Sequence, residues 1–198
     1  MLTIAAGLGA AAWWRTHPSA MPYWQRAFVE LPHPLITRAR LRRALAVSPG
    51  SRVLEIGPGT GYYSLPVAEW LGPTGRLELL DLESKMLEHI GGRARKRGLD
   101  ARIGLTRADA RTLPFADESF DAGYVVMALG EIPDQDAVLR ELARVVRVGG
   151  RVVVGELALD PHVVLPAALA RRAHGAGLRV ERRLGPRFGG FTVLTHTR

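Results

Sequence analysis

Apolar residues in this chain fall into short blocks separated by glycine, proline and charged residues. Val53 to Ile56 is a short, largely apolar run broken at once by glycines, the pattern of a buried parallel strand feeding a tight turn. Tyr62 to Leu71 reads as a helix closed by Gly72-Pro73. Arg76 to Leu80 is the next strand, ending at Asp81, and Ser84 caps a helix that runs to about Gly98. Arg102 to Thr106 forms a strand ending near Asp109, and Phe120 to Met127 another, entered through Asp117-Glu118-Ser119. Asp134 or Gln135 opens a helix with Val138, Leu139, Leu142, Val145 and Val146 at helical spacing, stopped by Gly149-Gly150. A strand, Arg151 to Leu157, follows, then a helix from Pro161 to Gly175 with a bend at Pro166.

The tail reads differently. Leu178 to Leu184 and Phe191 to Thr197 are strand-like runs around a turn-rich Gly185 to Gly190, so an antiparallel hairpin is expected rather than another crossover. Strands therefore alternate with helices five times and end in a hairpin. That order predicts an α/β fold with a doubly wound parallel sheet and ligands at the carboxyl ends of its strands. Residues 1–48 precede the first strand and read as an N-terminal helical extension or lid; residues 49–198 form the ligand-binding domain.

Composition narrows the chemistry. The chain has 198 residues, enough for one α/β domain and too few for two. With no cysteine, disulfides, Cys-ligated zinc and thiol nucleophiles are excluded, which fits a reducing, cytoplasmic setting. No metal site is expected. The net charge of +8 comes almost wholly from arginine, since Lys85 and Lys96 are the only lysines. A basic surface suits nucleic acid, an anionic membrane or an acidic substrate, and it also follows from a plain compositional bias toward arginine. The densest cluster includes Arg171, Arg172, Arg179, Arg182, Arg183 and Arg187. Leu2 to Trp14 is small and apolar, shorter than a spanning helix, and without the basic leader of a secretory signal. It reads either as a helix packed on the domain or as a membrane-surface contact through residues 2–15.

The first strand ends in Glu55-Ile56-Gly57-Pro58-Gly59-Thr60-Gly61. Glycines at alternate positions let the backbone turn sharply and approach a ligand. The dinucleotide fingerprint GxGxxG would place its third glycine at Tyr62, and a bulky residue there disfavours a pyrophosphate. Glu55, just before the loop, suits a cationic or amine-bearing ligand. Asp81, at the end of the second strand, can accept hydrogen bonds from both ribose hydroxyls. Asp109, near the end of the third, can accept the exocyclic amine of adenine, with a neighbouring backbone N–H for a ring nitrogen. Each aspartate also has a plain reading, as a solvated strand end or a turn cap.

VLEIGPGTG, LDLESKML, ADARTLPFADESFDAGYVV and ELARVVRVGGRVVVGE follow one another from Val53 to Glu156. In that order they resemble the class I S-adenosylmethionine-dependent methyltransferases of the small-molecule, methyltransferase type 11-like group. The resemblance implies a Rossmann-like, three-layer αβα fold with seven strands, the last antiparallel. It also implies S-adenosylmethionine as methyl donor and S-adenosylhomocysteine as product. By position, Glu55, Gly57, Gly59 and Gly61 would cradle the methionine part, and Asp81 would take the ribose. Leu82 and Met86 would flank the adenine, with Asp109 and Ala110 at its amine and ring edge.

The chain departs from that group after the fourth strand, where a histidine is common and Ala128 to Asp134 has none. Glu131 stands there instead as the first candidate base or partner for a cationic amine, with the capping of the next helix as its plain role. Tyr62, Tyr63, Glu156 and His162 are further candidates near the donor methyl. The Asn-Pro-Pro-Tyr type of motif is absent at this point, which argues against DNA adenine methylation. The expected acceptor is a small or lipid-like molecule, methylated on O, N or C. Trp13, Trp14, Tyr23, Trp24 and Phe28 would supply an apolar lid, or simply dock the extension. Three other readings stand beside this one. An RNA methyltransferase is favoured by charge but lacks a visible RNA-binding module. The others are a catalytically silent cofactor-binding partner and an NAD-dependent oxidoreductase, the latter disfavoured by Tyr62.

Overall fold

The apolar blocks become the strands of one sheet. A computed structural model describes residues 34–197. The elements in chain order are α1 (Arg38–Leu45), β1 (Arg52–Ile56), α2 (Ser64–Trp70), β2 (Arg76–Asp81), α3 (Ser84–Lys96) and β3 (Ile103–Arg107). They continue with β4 (Phe120–Val126), α4 (Gln135–Val145), β5 (Val146–Leu157), α5 (Pro166–Gly175), β6 (Leu178–Leu184) and β7 (Gly189–His196). The strand order is β3-β2-β1-β4-β5-β7-β6. β1 to β5 pair in parallel, and β7 runs antiparallel to both its neighbours.

The strands in the middle of the sheet are buried on both faces, as a parallel sheet with helices on each side requires. One apolar layer joins α1, α2 and α3 to the sheet through Leu41, Leu65, Ile90, Leu79 and Val193. The other joins α4 and α5 through Leu139, Leu142, Leu169, Leu54 and Val154. The Rossmann-like three-layer αβα architecture with its antiparallel last strand is as the sequence implies. The apolar run Leu2 to Trp14, the aromatics from Trp13 to Phe28 and the membrane contact placed on residues 2–15 lie outside the described residues.

Several boundaries differ from the sequence reading, each for a local reason. α2 starts at Ser64 rather than Tyr62, because Gly61 is already committed to a turn, donating to Pro58 O at 3.0 Å. Ser84 is the first helical residue of α3, and the cap is Glu83, whose carboxylate accepts from Lys85 N at 3.2 Å. Gly149-Gly150 does not stop α4. That helix ends at Val145 and the chain passes straight into β5, with the glycines inside the strand where its register with β4 shifts. Pro166 does not bend a helix begun at Pro161; it opens α5, where its missing N–H costs nothing. Among the described residues, helices separate strands four times rather than five, because the β3–β4 connection is a loop. Arg144 of α4 pins that loop, donating to Leu113 O at 3.0 Å, Phe115 O at 2.8 Å and Asp117 Oδ1 at 2.7 Å.

Candidate active site

The sheet order reverses between β1 and β4, and a cavity of about 600 Å³ opens there at the carboxyl ends of the strands. Its lining is largely apolar, with a few convergent polar groups, the usual make-up of a small-molecule site.

Four strand ends supply the near half. Glu55 ends β1 on the cavity side and is 2% exposed. Tyr124 Oη, on β4, donates to its Oε2 at 2.6 Å. Burial pushes the Glu55 carboxyl up to about 7; the hydroxyls of Ser64 and Tyr124 pull the other way, and the Asp81 charge adds to the rise. Gly57 follows with φ +65°, and any Cβ there would run into Ala128 Cβ at 2.6 Å. The turn therefore needs glycine for both backbone and packing reasons. Asp81 ends β2 and accepts from Glu83 N at 2.9 Å; burial raises its pKa, and the backbone N–H groups of Glu83 and Leu82 oppose the rise. Asp109 follows β3, held by Arg111, which donates from its side chain at 2.6 Å and 3.0 Å and from its backbone at 2.9 Å. That pairing lowers the Asp109 pKa.

Met127 follows β4 with φ +54°, an uncommon conformation for a side chain of its size, and its N–H donates to Gly155 O at 2.8 Å. A one-turn segment, Leu129 to Glu131, follows and brings Glu131 to the cavity wall. The end of β5 at Leu157 and the connection after it, with Leu159, Asp160 and His162, supply the opposite wall. Asp160 accepts from His162 N at 2.8 Å, and its own burial raises its pKa. The two segments lie against each other so tightly that a side chain at Gly130 would strike the His162 carbonyl. Behind them sits Glu156, 9% exposed. Its Oε1 has no hydrogen-bond partner among the described residues, while Val164 N–H donates to the carboxyl. Burial pushes Glu156 up to about 8, helped by the Asp160 and Glu131 charges.

The sequence candidates largely meet in this one cavity. Glu55, Gly57, Gly59, Tyr62, Asp81, Leu82, Met86, Asp109, Ala110 and Glu131 all line it, as do Tyr63 and His162. Gly61 is not in that lining; a Cβ there would meet Ile90 and Leu65 in the core. Glu156 lies behind the wall rather than in it. Tyr62 is clamped by Arg38, whose guanidinium stacks on its ring at 4.0 Å and whose Nε donates to its carbonyl at 3.1 Å. Sequence reasoning missed Asp160 and Met127. Asp160 falls in the short gap left between the strand read to Leu157 and the helix read from Pro161, and a strained backbone at Met127 leaves no mark on residue type.

The sequence pattern of the ubiE/COQ5 methyltransferase family matches residues 31–170. Methyltransferase GfsG of Streptomyces halstedii is 36% identical over 118 residues, 60% of this chain and 42% of that protein. The ubiquinone/menaquinone biosynthesis C-methyltransferase UbiE of Pseudomonas putida is 36% identical over 122 residues, 62% of this chain and 48% of that one. The chain spans about half the length of these curated relatives. Among solved structures, an S-adenosylmethionine-dependent methyltransferase from Aquifex aeolicus has a TM-score of 0.81. The match covers 89% of this chain and 100% of that one at 17% identity, a likeness of fold.

Proposed function

The chain belongs to the ubiE/COQ5 methyltransferase family, and from that membership we propose that it transfers a methyl group from S-adenosylmethionine to an O, N or C atom of a small, lipid-like acceptor. The observation that carries the proposal is the meeting of Glu55, Asp81 and Asp109, from three neighbouring strand ends, on one cavity beside a glycine turn.

The residues suit that donor. Glu55 is a buried acid whose ordinary ionisation is suppressed, so a cationic amine beside it restores its charge. Gly57 leaves the backbone open where a methionine chain would lie. Asp81, partly buried, accepts ribose hydroxyls. Leu82 and Met86 flank the adenine, and Asp109 with Ala110 meets its edge. Three N–H donors of Arg111 already bind Asp109, so of a carboxylate's about four acceptor sites about one remains for an amine. S-adenosylmethionine bound there supplies a methyl carbon activated by positive sulfur. The chain then has to align the acceptor and exclude water. The apolar walls around Met127, Ile132, Leu157 and Leu159 do both, and Glu131 or Asp160 takes a proton where the acceptor must lose one. The C-methyltransferase name of the Pseudomonas putida relative favours a carbon acceptor.

Titration calorimetry with S-adenosylhomocysteine and with NAD tests the reading. Tight binding of the first and none of the second is expected. Asp81→Ala weakens the first by about tenfold or more, the range of a charge-assisted hydrogen bond. Unchanged affinity would remove Asp81 from the ribose site.

A further inference from the structure

The rim of the cavity carries large apolar side chains that the fold leaves in water. Leu159 is 87% exposed and lines the mouth; Phe188 is 67% exposed. They belong to different connections, the one after β5 and the β6–β7 turn. A hydrogen bond from Ala158 N to Phe188 O at 2.8 Å fastens these together at the carboxyl end of the sheet. Exposed leucine and phenylalanine on two segments fastened together beside an apolar cavity call for a partner.

The charge beside them is mainly positive, although Asp160 stands next to Leu159 on the cavity wall. Segment 34–45 carries Arg38, Arg40, Arg42 and Arg43 and no acid. Segment 178–190 carries Arg179, Arg182, Arg183 and Arg187 against the single acid Glu181, which pairs with Arg151 and Arg182. The two segments adjoin, since Arg182 donates to Arg43 O at 3.1 Å and α1 packs on β5 and β7. At the rim, Arg40 donates to Leu35 O at 2.6 Å, Leu35 packs against Gly189, and Arg183 donates to Arg187 O at 3.2 Å. Arginine heads thus flank the exposed apolar tips.

We propose that this rim docks on an anionic lipid surface, with Leu159 and Phe188 entering the acyl boundary and Arg183 and Arg187 meeting the headgroups, so that an apolar acceptor passes from the bilayer into the cavity. Apolar tips framed by cations fit the interface of an anionic bilayer, where each basic residue near the surface adds attraction. A nucleic acid would use the arginines and leave Leu159 and Phe188 unserved. The proposal rests on the proposed function only for what enters the cavity.

Vesicle flotation with the full chain tests it, using phosphatidylcholine vesicles with and without phosphatidylglycerol. Wild type is expected to float with the anionic vesicles and stay behind with the neutral ones. Phe188→Glu combined with Arg187→Glu should cut the bound fraction by about tenfold or more. Both side chains are exposed and outside the cavity lining, so thermal midpoint and S-adenosylhomocysteine affinity should stay at wild-type values. Those two readings separate a failed docking surface from a failed cofactor site. Wild type that ignores anionic vesicles overturns the proposal. So does a variant that floats as wild type does, which would move the contact elsewhere, including to residues 2–15. Polyuridylate that binds wild type and competes the vesicles away would assign the surface to RNA instead.

Discussion

At the scale of single residues, two largely buried glutamates stand out, Glu55 in the cavity lining and Glu156 behind it. Glu55 stands at about 7 and Glu156 at about 8, against 4.5 for an ordinary glutamate. Both therefore bind protons in the folded chain that the unfolded chain has already released. Their contribution to stability is complete below about 4.5 and is lost as pH rises through 7 and then 8. Glu156→Gln should flatten this decline; thermal midpoints from pH 5 to 9 test it, and a slope equal to wild type would exonerate Glu156. Glu55 predicts a second pH effect. The ammonium of S-adenosylhomocysteine placed beside it favours the carboxylate, so binding below pH 7 releases a proton. Affinity should rise with pH to about 7 and then level, and calorimetry in buffers of different ionisation enthalpy would count the proton. Glu55→Gln should abolish the release. The sequence marked Glu55 by its place before the glycines. Its Tyr124 hydrogen bond spans 69 residues and had no local signature.

At the scale of elements, the strands were the most legible part. β1, β2 and β4 begin or end within one residue of the apolar runs that mark them, because burial on both faces demands such runs. The joins were less legible. Whether Gly149-Gly150 ends a helix or bends a strand depends on β4 beside it, where a Cβ on Gly150 would meet Asp121 O at 2.6 Å. The β3–β4 loop depends on Arg144, whose side chain also binds Glu141 at 2.7 Å and is held charged by Glu141 and Asp117. Arg144→Ala removes the donors that three loop groups rely on. A loss of about 2 kcal/mol or more is expected from urea melts, since bonds to a charged donor contribute about 1.5–3 kcal/mol. Weaker S-adenosylhomocysteine binding should accompany it, because the same loop carries Asp109 and Ala110. A full-strength cofactor site in Arg144→Ala would show that the loop holds its shape alone.

At the scale of the whole molecule, two asymmetries coincide. The cavity opens at one end of the sheet, and arginine gathers along α1 and β6 on one flank of it. Exposed charges are screened beyond about 8–10 Å at physiological salt, whereas a half-buried carboxylate site is screened less. Raising ionic strength should therefore release the chain from anionic vesicles while leaving S-adenosylhomocysteine affinity within about twofold. Equal losses in both would place the two bindings on one surface. By itself the sequence determined the alternation of elements, the glycine turn and the acids at three strand ends, because apolar periodicity and backbone constraint are local and written in residue type. Only the tertiary structure decided that a side chain at Gly61 would meet Ile90 and Leu65, that Asp160 and Met127 reach the cavity, that Glu156 lies buried behind it, and that the segment of Leu159 is fastened to the turn of Phe188. Those facts depend on which distant segments come together, and no spacing along the chain records that.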